Sequence, residues 1–207
     1  MAVKRIVYMA AGSARRFGAN KLLCPLEGRP LFLHGLQALA PAAQRPGCTL
    51  TVVSRYAPVL AAARALGACA VDCPESEKGL SYTIRAGLDA AGPSAPGDFW
   101  LFAAADQPWL TTASVERLLD AARPGVRAAC LAWGEQLGSP VLIGAGCESA
   151  LRALQGDEGG KRALARLGVD CLPVQAGEER ELWDIDTPGQ LAAGGQAPAC
   201  QRGAKPV

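Results

Sequence analysis

The chain has a single histidine, His34. A Ser-His-Asp triad or a His-based metal site would rest on that one side chain, and His34 lies in the apolar stretch 30–36, where it reads as a helix residue with a satisfied ring. Aromatics are also scarce, at 5% of 207 residues, so Leu, Val and Ile must supply the bulk of the core, with Ala for close helix-on-sheet packing. An excess of either charge is missing too: 21 basic against 19 acidic residues give +2, which excludes a surface built to neutralise many phosphates, and no nucleic-acid partner is expected. No apolar run approaches the roughly 20 residues of a membrane span, and residues 1–9, with Lys4 and Arg5, lack a signal-peptide pattern. A cytoplasmic protein with no membrane partner is the expectation. The eight cysteines are scattered along a chain long enough to form a true core. They read as small hydrophobes, not as a disulfide framework or a zinc site.

Strand-like and helix-like runs alternate, the pattern of βαβ units and a doubly wound, mostly parallel sheet flanked by helices. Strands are expected over 4–9, 48–54, 68–71, 99–105, 126–133, 140–143, 171–174 and 182–185. Helices are expected over 31–40, 57–66, 82–91, 113–122, 148–154 and 161–167. The run 99–105 (FWLFAAA) is the most apolar and should be central. One domain spans 1–193, and 194–207, rich in Gly, Ala, Pro and Gln, reads as a flexible tail.

Four segments carry chemistry. Met9 to Lys21 runs from a strand into small residues, then Arg15, Arg16 and Lys21, a phosphate loop or a solvated basic turn. It is neither a Walker loop nor a dinucleotide fingerprint, because the glycine spacing is wrong. Asp106, directly after the central strand, is placed to hold Mg²⁺ at the carboxyl edge of the sheet or to cap the turn before Pro108. Asp184 and Asp186, two apart on an expected strand, would share a face and suit a metal, with Asp186 alternatively capping a helix that starts at Pro188. Residues 156–161 (GDEGGK) are a loop that folds over substrate, bringing a carboxylate or Lys161 into play, or a polar turn.

In order and spacing these segments resemble the MobA-like nucleotidyltransferases, and within them the molybdenum cofactor cytidylyltransferases. The resemblance is carried by Ala10-Ala11-Gly12, Arg16-Phe17-Gly18, Asn20-Lys21-Leu22-Leu23, Pro25-Leu26, Gly28-Arg29-Pro30-Leu31, residues 79–88, Ala105-Asp106-Gln107-Pro108, Gly138-Ser139-Pro140-Val141, Gly156-Asp157-Glu158-Gly159-Gly160 and Asp184-Ile185-Asp186-Thr187-Pro188. It covers about residues 3–193. It implies a single nucleotidyltransferase domain that moves a nucleoside monophosphate, CMP from CTP, onto the phosphate of a molybdopterin acceptor and releases pyrophosphate. Arg16, Lys21 and Asp106 would be catalytic, and Ala10, Ala11, Gly12, Ser13, Lys21, Ser81 and Thr83 would bind nucleotide. Asp106, Asp184 and Asp186 would hold Mg²⁺, and Ser139, Asp157 and Gly159 would bind the acceptor. A molybdoenzyme would be a further partner. Ala11, where the guanylyl-transferring branch has a second Gly, resembles the cytidylyl branch. Ala14, Cys73, Thr83 and Ser139 depart from the family pattern and bear on base and acceptor identity. The alternatives are transfer from GTP or another nucleotide to a different phosphorylated acceptor, or a non-catalytic nucleotide-binding cofactor chaperone.

Overall fold

The computed structural model describes residues 2–12 and 20–192. The expected tail, together with Ser13, Ala14, Arg15 and Arg16, lies outside the described residues. β1 (Lys4–Met9) is flanked by β4 (Cys48–Ser54) and β6 (Phe99–Ala104), both parallel to it. A small antiparallel ladder of β2 (Pro25–Leu26) and β3 (Arg29–Pro30) precedes α1 (Leu31–Ala43). The remaining elements are α2 (Ala57–Ala65), β5 (Cys69–Asp72), α3 (Leu80–Ala90), α4 (Thr112–Asp120), β7 (Ala128–Trp133), β8 (Gln136–Gly144), α5 (Glu148–Arg152), α6 (Gly160–Arg166), β9 (Leu172–Gln175) and α7 (Pro188–Ala192). The seven-stranded sheet runs β5-β4-β1-β6-β8-β7-β9, with β8 alone antiparallel to its neighbours. β6 is thus central, as its unbroken apolar run predicts.

Alternation along β1 shows why the sheet is covered twice. Ile6 and Tyr8 point into a core shared with α1, α2 and α4, whereas Val7 joins Ile84, Leu88, Trp100 and Phe102 under α3, α5 and α6. α1 approaches closely because residue 35 is glycine: a Cβ there would stand 2.8 Å from the Tyr8 hydroxyl, which donates to the Phe32 carbonyl at 2.6 Å. His34 sits on α1 with its ring Nε2 2.9 Å from the Leu26 carbonyl. Opposite the carboxyl edge, Arg5 and Asp98 form a buried pair at 2.7 Å, and Asp98 also accepts from the Val3 and Ala95 amides.

Two expectations need correction. Residues 182–185 are not a strand: Glu179–Leu182 forms a 3₁₀ turn and the chain then runs extended without a ladder. The cause is Glu181, fully buried, whose carboxylate accepts from the Thr111 amide and hydroxyl and from the Gly177 amide. Those bonds pin the segment to the start of α4 and steer it across the carboxyl edge, where its backbone tie is Ile185 N–H to the Asp106 carbonyl at 2.9 Å. Asp186 does not cap α7 either. Thr187 and Gln190 form a reciprocal cap, the Gln190 Oε1 accepting from the Asp186 and Thr187 amides and the Thr187 hydroxyl oxygen from the Gln190 amide. The strand expected over 140–143 is half of β8, which turns back on β7 through Gly134. All seven described cysteines are free thiols; Cys73, Cys130 and Cys147 are buried and Cys69 is exposed. Among the described residues no helix is long and apolar enough to cross a membrane.

Candidate active site

The strand order changes direction at β1 and β6, and ligands of open α/β sheets bind beyond the carboxyl ends at such a point. A cleft of about 1200 Å³ lies there, lined by the ends of β1 and β6, by the 3₁₀ turns at Lys21–Leu23 and Pro74–Lys78, and by β8 and residues 157–162.

Lys21 is the hub of the cleft. Asn20 caps the turn that carries it, accepting from the Leu22 amide. The Lys21 ammonium donates to Asp106 Oδ2 at 2.9 Å, to the Ile185 carbonyl at 2.8 Å and to Asp186 Oδ1 at 3.3 Å. Residues more than 160 positions apart in the chain therefore meet at one cation. Burial alone would lower the Lys21 pKa, but the charges and hydrogen bonds of Asp106 and Asp186 hold it above the usual lysine range. Asp184 stands beside this cluster without lining the cleft. Its carboxyl is pushed up to about 6, first by burial and then by the like charges of Asp106 and Asp186.

Of the remaining nucleotide-side residues, Ala11, Gly12 and Thr83 line the cleft. A Cβ at Gly12 would meet no atom of the described residues within 4 Å, which leaves space beside its backbone for a ligand to approach. Ala10 is buried below, its amide donating to the Val53 carbonyl and its carbonyl accepting from the Ser54 hydroxyl. Ser81 is likewise fully buried, its amide donating to the Gly156 carbonyl at 2.9 Å. Ser139, Asp157 and Gly159 also line the cleft. Ser13 and Arg16 lie outside the described residues. Lys161, a candidate of the 156–161 loop, also lines the cleft, and the structure adds groups that the sequence did not assign to the site: Ser76, buried with a hydroxyl that has no partner among the described residues, and Lys78 and Arg162. A serine in a turn directly beyond a strand's carboxyl end was the only available signal for Ser76.

No cluster of three or more His, Cys, Asp or Glu side chains capable of holding a metal occurs among the described residues. Two facing carboxylates with a cation already between them nevertheless suit a hard divalent ion that completes its shell with phosphate oxygens and water. Asp106 and Asp186 are the side chains that could hold such an ion.

An open α/β sheet with two carboxylates and a lysine at its switch point, beside a cleft large enough for two substrates, is the architecture of a nucleotide-handling enzyme. The chain belongs to the MobA-like NTP transferase family, whose domain model matches residues 6–171; it is a nucleotidyltransferase. It is 30% identical over 200 residues to the purine catabolism protein PucB of Bacillus subtilis (strain 168), covering 88% of this chain and 91% of that protein. Its fold is shared with a nucleotidyl transferase from Methanothermobacter thermautotroptrophicus, at TM-score 0.76 and 24% identity over 92% of this chain and 95% of the other. It is shared also with the molybdopterin-guanine dinucleotide biosynthesis protein A of Archaeoglobus fulgidus, at TM-score 0.66 and 20% identity over 92% and 96%.

Proposed function

We propose that this nucleotidyltransferase moves CMP from CTP to the phosphate of molybdenum cofactor, in the cytoplasm and with Mg²⁺. The observation that carries the reading is the meeting of Lys21, Asp106 and Asp186 in a cleft with two unlike walls. On one side the glycine-lined end of β1 leaves room for a nucleotide. On the other, Ser139 and residues 157–162, which also line the cleft, would face the acceptor. Ala11 supports CTP, because its methyl group narrows the floor where the guanylyl-transferring branch carries glycine. The A. fulgidus protein's name supports a molybdopterin acceptor, with a molybdoenzyme as recipient of the product, and the name of PucB ties a relative to purine catabolism.

The chemistry asks for charge neutralisation and alignment more than for covalent help. An acceptor phosphate oxygen, already anionic, forms the new bond to the α-phosphorus. The α–β bridging P–O bond breaks and pyrophosphate departs with the electron pair, so no general base is required. Lys21 offers its positive charge to the phosphates, and the backbone at Ala11 and Gly12 holds the nucleotide close. Asp106 and Asp186 would hold the divalent ion, which neutralises phosphate charge when bound. Arg16 would add a further positive charge, and Asp184 a carboxylate to the acidic cluster. Thr83 would contact the nucleotide, with Ser81 and Ala10 shaping the wall behind it; Ser139, Asp157 and Gly159 would contact the acceptor.

The test is pyrophosphate release from CTP, GTP or ATP with Mg²⁺ and molybdopterin. CTP is expected to give the fastest initial rate. A faster rate with GTP, or release only with a sugar phosphate as acceptor, would replace the assignment within the same family. Nucleotide binding without any release would favour the cofactor chaperone.

A further inference from the structure

The backbone at Ala10 to Gly12 has a support outside the cleft. Ala11 and Gly12 line the cleft, whereas Ser54 at the end of β4 and Tyr56 at the start of α2 do not. Ser54, fully buried, donates from its hydroxyl to the Ala10 carbonyl at 2.7 Å and accepts from the Tyr56 amide at 3.1 Å. Tyr56 is tied into α2 as well, its carbonyl accepting from the Val59 and Leu60 amides at 3.0 and 3.2 Å. From that fixed backbone its phenol donates to the Gly12 carbonyl at 3.2 Å. One short segment thus holds two carbonyls of the loop. The Arg55 guanidinium lies 5.1 Å from the centre of the Tyr56 ring and pairs with Glu77, which lines the cleft, so the ring is seated before any ligand arrives.

We infer that Tyr56 is a positioning residue for the transfer: through the Gly12 carbonyl it sets the backbone against which the triphosphate binds, without touching the nucleotide. The inference rests on the nucleotide half of the reading above. Gly12 has no side chain to restrain it, and glycine explores more backbone conformations than any other residue, so a hydrogen bond from outside supplies the restraint. In a planar trans peptide the carbonyl and the following N–H point opposite ways, so the bond from Ser54 to the Ala10 carbonyl turns the Ala11 amide away from β4. That amide belongs to a residue only 1% exposed and has no acceptor among the described residues, which suits a donor kept for a phosphate oxygen. The Tyr56 bond extends the same restraint to Gly12. Because it lies at the surface, where water would satisfy both groups, it adds little to stability. Its effect is to pre-organise the loop for its ligand.

Tyr56→Phe keeps the ring beside Arg55 and removes only the hydroxyl. Calorimetric titration of CTP, GTP and inorganic tripolyphosphate, each with Mg²⁺, into the wild type and the variant reads the effect without any acceptor. Kd is expected to rise roughly 3- to 10-fold, the worth of one hydrogen bond, and by a similar factor for each ligand that the wild type binds, because the loop holds phosphates and not the base. The thermal midpoint should not change. Unchanged Kd values would overturn the inference. So would a rise in Kd accompanied by a lowered thermal midpoint, which would make Tyr56 a structural residue, or a rise confined to CTP, which would assign the hydroxyl to the base. Binding of none of the three ligands by the wild type would overturn the nucleotide reading together with this inference. A uniform loss in Tyr56→Phe would uphold Tyr56 even if molybdopterin proves not to be the acceptor.

Discussion

A methyl group at Gly12, which lines the cleft, would meet no atom of the described residues within 4 Å. Gly12→Ala should therefore leave the thermal midpoint unchanged and raise CTP KM, as initial rates would report. Asp184 should behave differently. Its carboxyl is raised to about 6 in the folded chain against an ordinary 3.8, so both states are protonated at low pH, and ionisation favours the unfolded chain as pH climbs from 3.8 to about 6. The penalty is complete above that value. In metal-free buffer Asp184→Asn should raise the thermal midpoint near neutral pH, and the gain should shrink as pH falls through 6 toward 4. Scanning fluorimetry across that range checks the sign. At this scale Lys21 and Asp106 were legible because each sits in a motif beside a strand end. Ser76 was harder to place, because what distinguishes it is burial without a partner among the described residues, and that is decided by elements far away in sequence.

Gly79 opens α3 with φ of 133°, a conformation that suits glycine, and a Cβ there would lie 2.2 Å from the Gly156 backbone. This crossing, with the Ser81 amide bonded to the Gly156 carbonyl, ties the nucleotide wall to the loop of the acceptor wall. Gly79→Ala should cost roughly 1–3 kcal/mol from the backbone conformation alone and raise KM for both substrates; denaturant unfolding and two-substrate kinetics measure the two effects. Most elements were legible in the sequence because their periodicity is set by burial: the alternation in β1 and the spacing of Leu36 and Leu39 on α1 both face core. Residues 182–185 misled because an alternating pattern there reflects a chain anchored by Glu181 and not a ladder. Local pattern could not reveal a carboxylate whose partners begin 70 positions earlier.

At the scale of the molecule, one end of the sheet is devoted to chemistry and the other to stability. The Arg5–Asp98 pair closes the amino edges of β1 and β6 at 2.7 Å and is almost wholly buried. Removing one partner leaves the other charge uncompensated, so Asp98→Ala should cost about 3–5 kcal/mol in denaturant unfolding while changing KM little. Burial by itself would raise the Asp98 pKa, but hydrogen bonds from Ala95, Arg5 and Val3 and the Arg5 charge hold it below the ordinary value. Its stabilisation is complete above about 3.8 and is lost as pH falls through the lower folded value. The alternation of strands and helices foretold the doubly wound sheet. The reversal of β8 was not foretold, because alternation carries no strand direction. The cluster of Lys21, Asp106 and Asp186 at the switch point is the proposed transfer centre. Its most direct test is a single-turnover experiment with CTP labelled at the α-phosphate, comparing the wild type with Asp106→Asn. Label should pass to the molybdopterin acceptor in the wild type, and in the folded variant transfer should fall by about 100-fold or more, an electrostatic contribution of the usual size, while some nucleotide binding persists. Undiminished label transfer by Asp106→Asn would contradict the account.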